Sequence, residues 1–142
     1  MAALDLNSIR STIEGRLKTE LEEGTPPVSV VFNNTPYIPT PNSNWCQCSL
    51  SFSSSSYVTQ GGTSGSSNNL TGITSVNIFT PKGKGAGDNF VIGKRVRDLY
   101  NRIIVSGVYF DAPIGPEVMS SPSPEGYFST QVRMTFEIME DL

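Results

Sequence analysis

Residues 73–103 have the sequence ITSVNIFTPKGKGAGDNFVIGKRVRDLYNRI, in which an apolar segment, a glycine-rich turn and an amphipathic segment follow one another. This order predicts a strand, a loop and a helix. Phosphate-binding sites are built in the same order, because backbone N–H groups at the start of a helix point at the bound anion. The stretch therefore predicts either a nucleotide site or a structural turn between a strand and a helix.

The turn departs from the known phosphate-binding patterns at particular positions. A Walker loop requires a lysine and then Ser or Thr after its last glycine, whereas Gly87 is followed by Asp88 and Asn89. A dinucleotide fingerprint would need glycine at position 88 or 90, which hold Asp88 and Phe90. We expect Asp88 to cap the helix, with its carboxylate in the place of an anion. The residues favour the structural turn and leave nucleotide binding as the minor alternative.

Two segments carry apolar residues at steps of three and four, which is typical of helices with one buried face. The first covers about 5–23, with Asp5 as its N-cap and Gly24 after its last turn. The second covers 88–103. Gly15 costs the first helix about 1 kcal/mol relative to alanine, so we expect packing rather than propensity to stabilise it.

Strands are predicted from apolar and polar alternation or from β-branched and aromatic content. The longest alternating segment, 127–139, is placed at the centre of the sheet. The segment 111–126 is expected to be irregular because of its prolines. The predicted strands are 28–32, 45–53, 70–80, 107–110 and 127–139.

These elements predict an α+β domain, an antiparallel β-sheet of about five strands with two helices packed on one face. We expect residues 1–142 to form a single domain. The serine- and glycine-rich stretch at about 53–69 is predicted to be a mobile polar loop.

Composition argues against several classes of function. The net charge of −3 disfavours tight, sequence-reading DNA binding, which uses a strongly basic face. With charged residues at 16%, below the usual quarter, the surface suits an assembly subunit or a chain with long polar loops. We find no secretory signal pattern and no apolar run of about twenty residues, so we expect no membrane span.

Catalytic and metal chemistry find little support in the residue types. The chain has no histidine, and hence no side chain that ordinarily shuttles protons near neutral pH. Cys46 and Cys48 lie two apart in a predicted strand, too poorly placed to bridge each other, and we expect buried free thiols. No catalytic residue, metal ligand or cofactor is predicted.

A cluster of cations gives the candidate interface. Lys82 and Lys84 lie in the glycine-rich turn, and Arg95, Arg97 and Arg102 flank the apolar stripe of the second helix. A basic helix face in an acidic protein is a candidate contact surface, with an ordinary solvated face as the alternative.

Five motifs carry a resemblance to a known family. They are IRSTIEGRL at 9–17, PVSVVFNNTPYIPTP at 27–41, VNIFTPKGKGAG at 76–87, RVRDLYNRI at 95–103 and GYFSTQVRMTFEIME at 126–140. In this order the chain resembles the tail terminator proteins of tailed bacteriophages, small α+β subunits that close the head-proximal end of the tail tube.

The resemblance implies a structural protein of the virion tail or neck, made in the host cytoplasm. Such subunits form a closed homo-oligomeric ring, usually a hexamer, that caps the tail tube protein and stops its polymerisation. The ring then offers a docking surface to the head–tail connector, and DNA passes through its lumen without being read. Another head–tail connector or stopper protein is the nearest alternative, and a nucleotide-binding protein is an alternative from a different class.

Overall fold

A computed structural model of the protein describes residues 5–24, 27–33, 43–57, 67–83, 85–119 and 126–141. Within these residues the chain forms two helices and seven strands. The elements are α1 Leu6–Glu22, β1 Ser29–Val31, β2 Trp45–Tyr57, β3 Ser67–Pro81, α2 Gly87–Tyr100, β4 Ile104–Val105, β5 Val108–Phe110, β6 Ile114–Val118 and β7 Tyr127–Asp141.

The strands form one sheet in the order β1-β2-β3-β7-β5-β4, and β6 pairs with the same edge of β7 as β5 does, at different residues. This confirms the α+β class and the central position of β7, but the sheet has seven strands rather than about five. It is also not wholly antiparallel, because β1 pairs in parallel with β2. A parallel pair needs a connection of a dozen or more residues, which the segment between these strands provides.

The strand β6 lies in the segment that was predicted to be irregular. It pairs with β7 through Ile114, Glu117 and Val118, and the register shifts between Ile114 and Glu117. Pro116 lies inside this irregularity, where its missing N–H removes no regular ladder bond. The prediction was wrong because proline excludes regular pairing only where a ladder donor is required.

The predicted loop at 53–69 is shorter than expected. Strand β2 continues to Tyr57 and β3 begins at Ser67, so both ends of that stretch pair as strands. Residues 58–66 lie outside the described residues. After a register shift between Phe52 and Ser55, Ser55 and Ser56 pair with Leu70 and Asn69 of β3. Pairing in the sheet overrides the weak strand propensity of this serine-rich segment.

The core lies between the helices and one face of the sheet. Even-numbered residues of β2 as far as Phe52, and of β3 and β7, face the helices, and the predicted alternation of β7 is confirmed. The apolar stripe of α1 is buried as expected. The core side chains include Ile13, Leu17, Leu21, Cys46, Cys48, Val76, Ile78, Ile92, Val96, Val132, Met134 and Phe136.

Hydrogen bonds connect the two helices to each other and cap the N-terminus of α1. The Tyr100 hydroxyl donates to the Ile13 carbonyl at 2.7 Å, and Arg16 Nε donates to the Leu99 carbonyl at 3.1 Å. Asp5 is the N-cap of α1, as predicted. The pKa of the Asp5 carboxyl is lowered because it accepts hydrogen bonds from the Ser8 hydroxyl and from the backbone N–H groups of Ser8 and Asn7.

Cys46 and Cys48 are buried free thiols, as predicted. Burial raises the pKa of Cys48 to about 12 and raises the pKa of Cys46 further. Burial also raises the pKa of Tyr100, which packs against the same core. The folded protein therefore keeps the protons of these two thiols and of the Tyr100 hydroxyl up to a higher pH than the unfolded chain does.

We expect this difference to make the protein less stable in alkali. Unfolded thiols lose their protons near pH 8.5, so stability should fall as the pH rises from about 9 toward 12, by up to about 1.4 kcal/mol per pH unit for each group. Urea unfolding at pH 8, 9, 10 and 11 measures the slope. The Cys46→Ala/Cys48→Ala double variant should start less stable but show a shallower slope. Equal slopes would show that the thiols do not contribute.

Candidate interaction surfaces

The glycine-rich turn connects β3 to α2 as predicted, but the start of the helix differs. Ala86 occupies the N-cap position without a side-chain hydrogen bond, and Asp88 lies inside the first turn. Its Oδ2 accepts a hydrogen bond from Asn44 Nδ2 at 3.2 Å. The prediction of Asp88 as the cap was wrong because the helix starts at Gly87. The Asp88 carboxylate still interacts favourably with the positive end of the helix dipole.

A buried polar network beside this turn was missed by the sequence reasoning. Thr80 Oγ1 donates to Asn89 Oδ1 at 2.6 Å, and Asn89 Nδ2 donates to the Ile78 carbonyl at 3.2 Å and to Thr130 Oγ1 at 3.4 Å. The network joins the first turn of α2 to β3 and β7. Its signal in the sequence is that Asn89 shares the helical spacing of the buried Ile92.

A cavity of about 630 Å³ adjoins the turn. Its described lining holds one cation, Lys82, and the aromatic rings of Tyr127 and Phe128, but no carboxylate. Such a lining can contact an apolar or anionic group and does not supply a paired acid and base. The described lining is Lys82, Gly83, Gly85, Ala86, Met119, Tyr127, Phe128 and Ser129.

Two of the predicted interface cations bind the protein's own carbonyl groups. Arg95 Nη2 donates to the Glu20 carbonyl at 2.7 Å, and its side chain is 14% exposed. Arg97 Nη1 donates to the carbonyls of Pro113, at 3.0 Å, and Gly115. Arg95 thus joins α2 to α1, whereas Arg97 joins α2 to the segment that enters β6.

The other predicted cations occupy different places. Lys82 is exposed in the turn before α2. Arg102 is exposed just after α2, with a left-handed φ of 54°. Lys84 lies outside the described residues. The structure therefore places the predicted residues at both ends and both sides of α2 and does not assemble them into one surface.

Neither helix of the described chain covers the second face of the sheet. Odd-numbered residues of β2 as far as Ser53, and of β3 and β7, face outward there, and most are polar. We call this surface the outer face. Cross-strand hydrogen bonds order it, and they join Gln131 to Asn77 at 2.9 Å, Arg133 to Glu117 at 3.1 Å, Thr135 to Asp111 at 2.6 Å and Asn69 to Glu137 at 3.0 Å.

The outer face is net negative and carries one aromatic cluster. The carboxylates of Asp111, Glu117 and Glu137 lie on it with the single cation Arg133 among these hydrogen-bonded pairs. A small apolar cluster covers its end near β1, where the Trp45 and Phe79 ring centroids are 4.4 Å apart. Ile114, which pairs with Arg133, and Met139 are also exposed on this face, and the rest of it offers polar contacts to solvent or to a partner.

Apolar side chains are exposed at both lateral ends of the sheet. At one end, β4 and β5 form a hairpin whose turn residues Ser106 and Gly107 both have positive φ, as tight hairpin turns require. Its cross-strand partners Ile104 and Tyr109 are exposed. We call this end the hairpin end.

At the other end, a groove of about 310 Å³ lies between the start of β1 and the first turns of α2. Val28 and Ile92 are buried beside it, whereas Val91 is exposed. We call it the β1 groove. Its lining is Pro27, Val28, Ser29, Ser43, Asn44, Asp88, Val91 and Ile92.

Comparison with known proteins adds information on the fold. No family model and no curated protein matches the chain. Nine chains of solved structures match it. One of them, from a protein whose name states no function, has a TM-score of 0.68 and 14% identity over 96% of both chains. At this identity the similarity shows a shared fold and nothing more.

The described residues also bear on membranes and metals. None of their helices is long and apolar enough to cross a membrane. No group of three or more Cys, Asp or Glu side chains in the described part of the chain is placed to hold a metal ion.

Proposed function

We propose that this protein is a tail terminator of a tailed bacteriophage. Its subunits form a closed ring, a hexamer by the family resemblance, that caps the head-proximal end of the tail tube and stops tube polymerisation. The ring then provides the docking surface for the head–tail connector. The protein acts in this proposal through surfaces and not through catalysis or a cofactor.

The outer face is the observation that carries the proposal. A conduit for DNA needs a surface that does not hold the phosphate backbone, and binding to phosphates requires clustered lysine and arginine. The outer face has the opposite character, because its hydrogen-bonded pairs contain three carboxylates and the single cation Arg133, together with hydroxyl and amide groups. A ring with this face toward its lumen would let DNA pass without retaining it.

The surfaces at the two lateral ends of the sheet are consistent with assembly into a ring. A contact between unlike surfaces of identical subunits closes into a ring when its rotation closes. The hairpin end and the β1 groove are unlike surfaces at opposite ends of one sheet. The hairpin end exposes Ile104 and Tyr109, and the β1 groove exposes Val91, and a neighbouring subunit would cover these side chains.

Tube assembly tests the proposal directly. The tail tube protein is polymerised with and without this protein, and tube lengths are measured by electron microscopy. We expect shorter tubes with a ring at one end, and a ring-sized species of the protein in sizing with light scattering. A protein that stays monomeric with the tube protein and leaves tube length unchanged would contradict the proposal. A ring that binds the connector but not the tube would instead support a connector or stopper.

A further inference from the structure

The two lateral ends of the sheet differ in shape and in charge. β1 and β4 are the two edge strands of the main order, and four strands lie between them. The hairpin end projects exposed apolar residues, whereas the other end is concave. A projection and a groove on opposite ends of one subunit suit a head-to-tail contact between copies.

The hairpin end presents one apolar side chain and one cation. Ile104 is 64% exposed on the edge strand β4, whose other edge has no strand partner among the described residues. Arg102 lies two residues before it and is exposed. Within the described residues Arg102 makes no hydrogen bond or ion pair, in contrast to the inward-facing Arg95 and Arg97.

The β1 groove presents the complementary pair. Val91 is 57% exposed at its wall, and the buried Val28 and Ile92 lie beside it. Asp88 is exposed at the same site, where the bond from Asn44 holds one carboxylate oxygen in place. An apolar side chain accompanied by a cation is therefore the complement of this groove.

We propose that the occupant of the β1 groove is the hairpin end of a second copy of this chain. Ile104 of one copy packs against Val91 of the next, and Arg102 of the first lies opposite Asp88 of the second. The inference rests on the proposed function, because a ring requires a head-to-tail contact, and it specifies which surfaces make that contact. The charge complementarity between Arg102 and Asp88 selects a copy of this chain as the partner.

Charge reversal tests the pairing. Asp88→Arg and Arg102→Asp each place like charges at the contact, and each should raise the concentration for half-assembly at least about tenfold. An equimolar mixture of the two variants should assemble again. In an alternating ring, the two substituted positions face each other at one contact, and the natural Asp88 and Arg102 face each other at the next. Sizing with light scattering measures each sample.

Asp98→Arg is the matched control, because it reverses an exposed carboxylate on the same helix, where Asp98 pairs only with Lys94 of its own chain in the described contacts. It should assemble like the natural chain. Circular dichroism verifies that every variant is folded.

Single variants that assemble normally, or a mixture that stays dissociated, would overturn the pairing while the natural chain still forms rings. A natural chain that forms no ring even with the tail tube protein would instead refute the proposed function.

Discussion

Asn89→Ala should lower the free energy of unfolding by about 2–4 kcal/mol. The substitution removes a partner of the Thr80 hydroxyl, of Thr130 Oγ1 and of the Ile78 carbonyl, which lie in β3 and β7 against the first turn of α2. A buried polar group that loses its partner costs about 1–3 kcal/mol, and the space left by the amide adds a cavity. Urea unfolding followed by circular dichroism measures the change.

Asn101→Ala is the matched control for this prediction. Asn101 is exposed just beyond the last residue of α2, and its replacement should change stability by no more than about 0.5 kcal/mol. Adding Thr80→Val to Asn89→Ala should recover part of the loss, because it removes a hydroxyl that is otherwise left unpaired. Equal effects of the two asparagine substitutions would show that the buried network does not stabilise the fold.

Gly72→Ala should lower the free energy of unfolding by about 2–3 kcal/mol. Gly72 lies directly opposite Phe136 in the β3–β7 pairing, and the phenyl ring fills the space above the glycine. An added Cβ would overlap the ring and would lie 2.9 Å from the Ser51 carbonyl oxygen. The ring has little room to move, since Phe52 packs edge-on against it at 5.9 Å. Overpacking of this kind typically costs about 1–3 kcal/mol.

Gly15→Ala provides a control of opposite sign. A Cβ at Gly15 meets nothing within 4 Å, and the residue lies in the interior of α1. Alanine there should raise stability by about 1 kcal/mol. Phe136→Leu should reduce the cost of Gly72→Ala in a double-mutant cycle, because it removes part of the ring. If Gly72→Ala stabilised the protein as Gly15→Ala does, the close approach of Phe136 would be refuted.

Local patterns in the sequence were enough for much of the fold. The spacing of apolar residues predicted both helices, and the alternation in 127–139 predicted the central strand with its correct faces. The burial of Cys46 and Cys48 followed from the same kind of alternation in β2. These features could be predicted because each depends on residues a few positions apart.

The features that were missed depend on tertiary contacts. The parallel pairing of β1 with β2 is a choice of partner that a three-residue strand does not encode in its own sequence. The strand β6 was not predicted because Pro116 argues against strand pairing. The register shift that accommodates this proline depends on β7, which is distant in sequence. Arg95 and Arg97 looked like surface cations, and only the packing of α1 and β6 around α2 shows that they bind carbonyl groups.

The central place of β7 also determines when the protein can fold during synthesis. This strand pairs with β3, β5 and β6, yet it is translated after all of them. Until residues 127–141 leave the ribosome, the hairpin of β2 and β3 has a long unpaired edge, and β5 and β6 lack their sheet partner. Such an edge is a template for pairing with other chains. A nascent chain that stalls before residue 127 would therefore be prone to aggregate, and completion of β7 closes that edge.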